Sequence, residues 1–218
     1  MNKKYFLYGL GRFISWLIAK WFRTRLLVHK ESFGTKGAII APNHTSYLDP
    51  PFIAAMMPMR AYFLAKSSLF KVPLFGKILY KINVLPITRG GADLKSIKKI
   101  SQFLIKGSKV VIFPEGTRSQ DGLIQRFRQG IALIAFKSAV PIIPMYIHGT
   151  YDIWSRKRRF PILWGKVTMI MGKPISPKHY MHLNSKDGQS ALIKEVERQV
   201  KGLKDWYEEG AKGTVPSI

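Results

Sequence analysis

Apolar positions along this chain follow two rhythms. Within Tyr5–Phe22, Phe6, Leu10, Phe13, Leu17 and Trp21 recur at helical spacing, which predicts an amphipathic helix. From Gly37 onward, apolar runs of strand length alternate with helix-patterned stretches. Gly37–Ala41 reads as a buried strand stopped by Pro42, and Asp49-Pro50-Pro51 opens a helix through about Met57. Aspartate can cap a helix, and proline is tolerated in its first turn. Ala61–Ala65, Val84–Ile87, Val110–Phe113 and Ile142–Ile147 read as further strands, with helices over Leu74–Ile82, Ala92–Lys106 and Gly130–Ser138 between them. Phe160–Leu163 and Val167–Met171 flank Trp164-Gly165-Lys166 as a candidate hairpin, and Ser190–Tyr207 reads as a final helix.

Strands alternating with helices predict an α/β fold. The expectation is a single layered domain with a largely parallel central sheet flanked by helices, preceded by an N-terminal amphipathic interfacial helix. The boundaries expected are 1–30 for that helix, 31–210 for the main domain and 211–218 for a flexible tail. In such sheets, sites collect beyond the carboxyl ends of strands.

Charge sharpens the picture. The 218 residues hold 36 Lys and Arg against 12 Asp and Glu, for a net charge of +24. Before residue 150 the acids are only Glu31, Asp49, Asp93, Glu115 and Asp121, while the rest gather toward the C-terminus. Such a body attracts polyanions: nucleic acid, anionic lipid or phosphorylated substrates. The N-terminus favours the lipid surface. Arg12 and Lys20 interrupt its apolar run, so it falls short of the roughly 18–20 uncharged residues of a spanning helix. Arg23 and Arg25 add cations, and Trp16, Trp21 and Phe22 suit the headgroup boundary. An ordinary core-packing helix is the alternative. Arg156-Lys157-Arg158-Arg159, beside Trp154, Phe160 and Trp164, is either a solvated face or a second contact with anionic headgroups. There is no cysteine, which excludes disulfides, thiolate metal sites and cysteine nucleophiles.

Two short strings carry candidate chemistry. Asn43-His44-Thr45-Ser46-Tyr47-Leu48-Asp49 follows the first strand of the alternating region, and Phe113-Pro114-Glu115-Gly116-Thr117-Arg118-Ser119 begins where Pro114 stops the Val110–Phe113 strand. A histidine base oriented by a carboxylate is what activation of a hydroxyl requires. On one continuous helix, residues five apart splay by roughly 140°. The His44–Asp49 pair therefore needs a turn between its members. Alone, that spacing is a weak signal, and simple turn and cap roles account for each residue equally well. No Gly-x-Ser-x-Gly elbow is present, and nothing marks Ser46 as activated. Arg118 offers a planar fork for phosphate, with Glu115 and the Gly116-Thr117 backbone available to hold it or to bind a hydroxyl. A structural turn with a local ion pair is the plainer alternative. Lys66 and Arg89 follow two other strands, so four strand ends would bring His44, Lys66, Arg89 and Arg118 to one rim. His29, His148, His179 and His182 show no metal-ligand spacing.

These strings, with Leu85-Pro86-Ile87-Thr88-Arg89 and Val140-Pro141-Ile142-Ile143-Pro144, resemble in order and spacing the four blocks of the glycerophospholipid acyltransferase family, of the lysophosphatidic acid acyltransferase type. Phe127-Arg128-Gln129-Gly130 is similar to that family's Phe-Lys-x-Gly segment. The resemblance implies acyl transfer from acyl-CoA or acyl-carrier protein to the sn-2 hydroxyl of 1-acylglycerol 3-phosphate. It implies His44 as base, Asp49 as its partner, and Lys66, Arg89, Glu115, Gly116, Thr117 and Arg118 as substrate-binding residues. No metal and no resident cofactor are implied, the thioester being a substrate. The expected location is monotopic, on the cytoplasmic face of the inner or plasma membrane, with an anionic membrane surface as partner and no nucleic acid. Another lysophospholipid or a lyso-aminolipid is the alternative acceptor, and a basic nucleic-acid-binding protein is the non-enzymatic alternative. Salt-sensitive duplex binding without affinity for liposomes would mark the latter.

Overall fold

A computed structural model describes residues 3–58, 60–88 and 94–218. The chain runs α1 (Lys3–Trp21), β1 (Arg25–Val28), β2 (Ala38–Pro42), α2 (Asp49–Met56) and β3 (Ala61–Lys66). A 3-10 turn at Ser67–Lys71 leads to α3 (Phe75–Lys81), β4 (Val84–Ile87), α4 (Leu94–Ile105) and β5 (Lys109–Val111). Then come α5 (Gly130–Ser138), β6 (Ile142–His148), α6 (Thr150–Trp154), β7 (Thr168–Met171), a 3-10 turn at Pro177–Tyr180 and α7 (Ser185–Glu208).

The strands form one seven-stranded sheet in the order β1-β7-β6-β2-β5-β3-β4. From β6 to β4 all neighbours are parallel. At the other edge β7 runs antiparallel to β6 and parallel to β1. Adjacent strand residues point to opposite sides. Ile39, Val110 and Ile142 pack under α4, α5 and α7 with Ile100, Leu104, Ile131 and Val196. Ile40, Val111 and Ile143 pack under α1, α2 and α3 with Phe22, Phe52, Ile53 and Leu79. Both faces are covered, which is why the strands read as unbroken apolar runs. All carboxyl ends of the parallel strands open on one edge, and the two strings lie there.

The α/β architecture matches expectation, and several elements differ. Arg25–Val28 is a strand on the sheet edge, so no boundary falls at residue 30: α1 and the sheet share one core. The 160–171 hairpin does not form. Thr168–Met171 is fully buried and needs partners on both sides, which β6 and β1 supply, whereas Phe160, Leu163 and Trp164 lie exposed. α7 starts at Ser185, five residues before the predicted Ser190, because the Asn184 side chain accepts from the Asp187 N–H at 3.0 Å. The expected flexible tail is instead packed. Val215 is buried, Ser217 Oγ lies 3.0 Å from His29 Nε2, and Ile218 sits against Gly202.

α1 has a core-packed face and an exposed one. Tyr8, Ala19 and Phe22 are buried, while Leu10, Phe13, Leu17 and Trp21 from the predicted stripe face outward with Ile14 and Trp16. The Phe6 side chain lies outside those described. Among the described residues no helix is long and apolar enough to cross a membrane.

Candidate active site

The site is built on the first residues past β2. Asn43 prolongs the β2–β6 pairing with its side chain: Nδ2 donates to the Ile147 carbonyl at 3.1 Å and Oδ1 accepts the Ile147 N–H at 2.7 Å. That clamp fixes where the chain leaves the sheet. The next four residues turn back, and His44 Nδ1 meets Asp49 Oδ2 at 2.8 Å. The expected turn between them is therefore formed. Asp49 does not cap α2, whose N-cap is Leu48 without a side-chain bond. Its carboxylate reaches backward, taking the Thr45 and Ser46 N–H groups on Oδ2 at 2.8 Å each and the Thr150 hydroxyl on Oδ1 at 2.6 Å.

Asp49 is wholly enclosed, so these donors are what make its burial affordable. All three donate to it, and an acceptor-only carboxylate assigns the hydrogen on His44 to Nδ1. Nε2 is left as the basic nitrogen. The imidazole stacks on Phe113 with ring centres 3.9 Å apart and 24° between planes, and 16% of the His44 side chain remains open to solvent. Ser46 is no nucleophile. It is buried, donates its hydroxyl to the Trp154 carbonyl at 2.8 Å and accepts from the Leu48 N–H.

The second string locks onto the first. The His44 N–H donates to Glu115 Oε1 at 2.8 Å, and the Ser119 N–H donates to the His44 carbonyl at 2.8 Å. The other Glu115 oxygen accepts the Gln125 N–H at 3.3 Å. Burial pushes the Glu115 pKa up to about 7, against the lowering effect of these two backbone bonds. Glu115 is buried facing these backbone amides and, among the described residues, makes no bond to Arg118. Gly116 turns with φ +72°, and the Arg128 side chain crosses its open face where a Cβ would come within 2.9 Å of Nε.

Arg118 lies flat on Tyr47, its guanidinium carbon 3.4 Å from the ring centre, and Tyr47 in turn packs on Trp154 at 5.0 Å. Its Nη1 is enclosed without an acceptor among the described residues. A buried guanidinium donor with nothing to donate to is the polar defect an anion would repair. Lys66 sits exposed at the end of β3, two strands from β2, or roughly 10 Å by strand spacing. Thr117 is half-buried beside Arg118. Arg89 lies outside the described residues. His148 belongs elsewhere: it neighbours Tyr146 Oη at 3.4 Å and packs on Tyr207. Among the described residues no group of His, Asp and Glu comes together to hold a metal ion.

A family model described as Acyltransferase matches residues 25–148, which contain both strings and the strands that carry them. The chain belongs to the acyltransferase family. Two relatives are each called a 1-acyl-sn-glycerol-3-phosphate acyltransferase. One, from Cocos nucifera, is 27% identical over 202 residues, covering 90% of this chain and 61% of the relative. The other, from Bacillus subtilis (strain 168), is 29% identical over 170 residues, covering 78% and 82%. The crystal structure of the 1-acyl-sn-glycerophosphate (LPA) acyltransferase PlsC from Thermotoga maritima superposes with a TM-score of 0.70 at 25% identity, covering 92% of this chain and 81% of that one. The chain spans 61% of the coconut relative and 40% and 39% of two longer chloroplast relatives, from Brassica napus and Arabidopsis thaliana.

Around the site, the residues to which sequence reasoning gave no role are Thr150, Tyr47 and Phe113, while Arg128 was noted only within the Phe127–Gly130 segment. Thr150 had a readable signal: it is a hydroxyl just beyond β6, on the same strand-end rim as the others. Tyr47 and Phe113 lay inside the two strings, but which rings they would meet depended on the fold.

Proposed function

We propose that this chain transfers a fatty acyl group from a thioester, acyl-CoA or acyl-carrier protein, to the sn-2 hydroxyl of 1-acylglycerol 3-phosphate at a membrane surface. The observation that carries the reading is the His44–Asp49 pair, with Nε2 basic, on the rim where Arg118 keeps an unmet donor. Nε2 takes the hydroxyl proton as that oxygen attacks the thioester carbonyl. The C–S bond breaks as the tetrahedral oxyanion collapses, and the imidazolium returns the proton to the departing thiolate. Asp49 steadies the imidazolium between the two transfers.

The oxyanion needs N–H donors, and most nearby ones are already committed. His44 donates to Glu115, Thr45 and Ser46 to Asp49, Tyr47 to Trp154, and Gly116 to Phe113. The Thr117 and Arg118 amides have no acceptor among the described residues, which favours them for this role. Arg118 clamps the acceptor phosphate, with Lys66 at the end of β3 as a further cation and Arg89 proposed as a third. Membrane residence is supported by the outward apolar face of α1 and its Lys20 and Arg23 neighbours.

The test is purified protein, both thioester donors and a panel of lysolipid acceptors with and without a phosphate monoester. Product with 1-acylglycerol 3-phosphate is expected, with kcat falling about 10²–10⁴-fold in His44→Ala while the melting transition stays near that of the wild type. Near-normal turnover by His44→Ala removes the base assignment. Wild-type protein that uses phosphate-free acceptors equally well removes the clamp.

A further inference from the structure

We propose that residues 155–164 form a second membrane-contacting arm, seated on anionic headgroups, which together with α1 turns the His44 mouth toward the lipid. The inference deepens the membrane reading above and rests on it. One end of the segment is joined to the catalytic turn. Ser155 bridges Ser46, and the Trp154 carbonyl before it accepts from both Ser46 Oγ and the Tyr47 N–H. Its other end is joined to α1: the Trp21 indole N–H donates to the Leu163 carbonyl, and the Val167 N–H donates to the Phe22 carbonyl at 3.3 Å. The arm thus spans from the turn that follows His44 to the helix whose apolar face is turned outward.

What it carries between those joints has the composition of a headgroup boundary. Arg156, Lys157, Arg158 and Arg159 are all exposed. Phe160, Leu163 and Trp164 are 71%, 64% and 77% exposed, against the 72% of the adjoining Trp21. Large apolar side chains this open are costly to leave in water, and Trp21, bonded to Leu163, continues the exposed helical stripe of Leu17 and Phe13. Arg159 lies over the Phe160 ring at 5.4 Å, so cation and aromatic share one place. The Asp121 carboxyl is held below its usual range chiefly by the Ser119 hydroxyl, with Lys157 adding to the effect. The Ile162 N–H donates to the Ile153 carbonyl at 2.8 Å, tying the segment back to α6. Four consecutive cations beside aromatic and aliphatic side chains fit an anionic leaflet: rings at the acyl boundary, guanidinium groups at the phosphates.

The test uses the full chain with two kinds of vesicle, phosphatidylcholine alone and phosphatidylcholine mixed with phosphatidylglycerol. Each basic residue close to an anionic surface is worth roughly five-fold in partitioning. Replacing all of them in R156Q/K157Q/R158Q/R159Q should cut binding to the mixed vesicles by ten-fold or more, and leave binding to neutral vesicles nearly unchanged. Brominated acyl chains should quench wild-type fluorescence more than that of Trp164→Phe, the difference reporting the depth of Trp164. Quadruple-variant binding equal to wild type on mixed vesicles, or a Trp164 that bromine does not reach while the wild type is bound, overturns the arm and leaves the enzyme reading intact. Wild-type protein that binds neither vesicle overturns the membrane reading itself.

Discussion

Asp49 and Glu115 both reach into the His44 turn, and burial treats them differently. Asp49 meets two backbone amides, a hydroxyl and an imidazole N–H within hydrogen-bond distance. Glu115 has two amides, one at a long 3.3 Å, and burial prevails: its pKa stands at about 7. In the fold Glu115 keeps its proton up to that value, whereas the unfolded chain releases it near 4.5. As pH rises through this window the unfolded state loses a proton that the folded state retains. Stability from this group is therefore full below 4.5 and lost as pH climbs toward 7, by on the order of 3 kcal/mol. Urea denaturation on the two sides of the window should show wild type weakening toward alkaline pH, with a clearly smaller change in Glu115→Gln. Identical pH dependence in both proteins would remove Glu115 as the cause. What the sequence revealed here follows from separation along the chain. His44 and Asp49 are five residues apart and could be read as a pair. The Glu115 bond spans 71 residues and the Thr150 bond 101, so both wait on the fold.

At the scale of elements, the turn from β6 into α6 cannot take a single added methyl group without strain. Gly149 has φ +87°, and a Cβ there would lie 2.1 Å from the Lys166 carbonyl oxygen. That oxygen belongs to backbone just ahead of β7 and cannot rotate away. Left-handed strain alone costs about 1–2 kcal/mol, and the collision adds to it. Gly149→Ala should lose at least ~2 kcal/mol of stability, with turnover lost too, since Thr150 follows directly and braces Asp49. Gly130→Ala is the contrast. It opens α5 in empty space with ordinary φ, so it should be neutral or slightly stabilising. Equal losses in the two variants would mean the Lys166 contact does not govern. The elements that sequence pattern missed share a cause with this turn. β1 and α6 are four and five residues long, too short for periodicity to register, and only their partners β7 and the His44 turn make them stable. The early start of α7 was legible, because Asn184 followed three residues later by Asp187 is a capping pattern that the apolar periodicity beginning further on obscured.

Across the whole molecule, charge and apolar surface are distributed so that salt should move folding and function in opposite directions. Acids on α7 are matched locally: Glu195 to Arg198, Glu197 to Lys201 and Glu208 to Lys204. Each pair keeps at least one partner exposed to water, so each contributes little to stability. They leave the remainder of a +24 chain with few partners, so like charges repel across the rim and the 156–159 run. Ions at 0.1 M screen exposed charges beyond about 10 Å, which relieves that repulsion and should raise the denaturation midpoint. The same screening weakens attraction to an anionic leaflet and to a phosphorylated acceptor. Turnover on phosphatidylglycerol-containing vesicles should therefore fall as sodium chloride rises over the range in which the protein becomes more stable. On vesicles of phosphatidylcholine the fall should be shallower, since only the acceptor phosphate is then being screened. Denaturation midpoints and initial rates collected along one salt series decide the matter. If activity rises with stability on both vesicle types, the cationic surface does not bring the chain to an anionic leaflet.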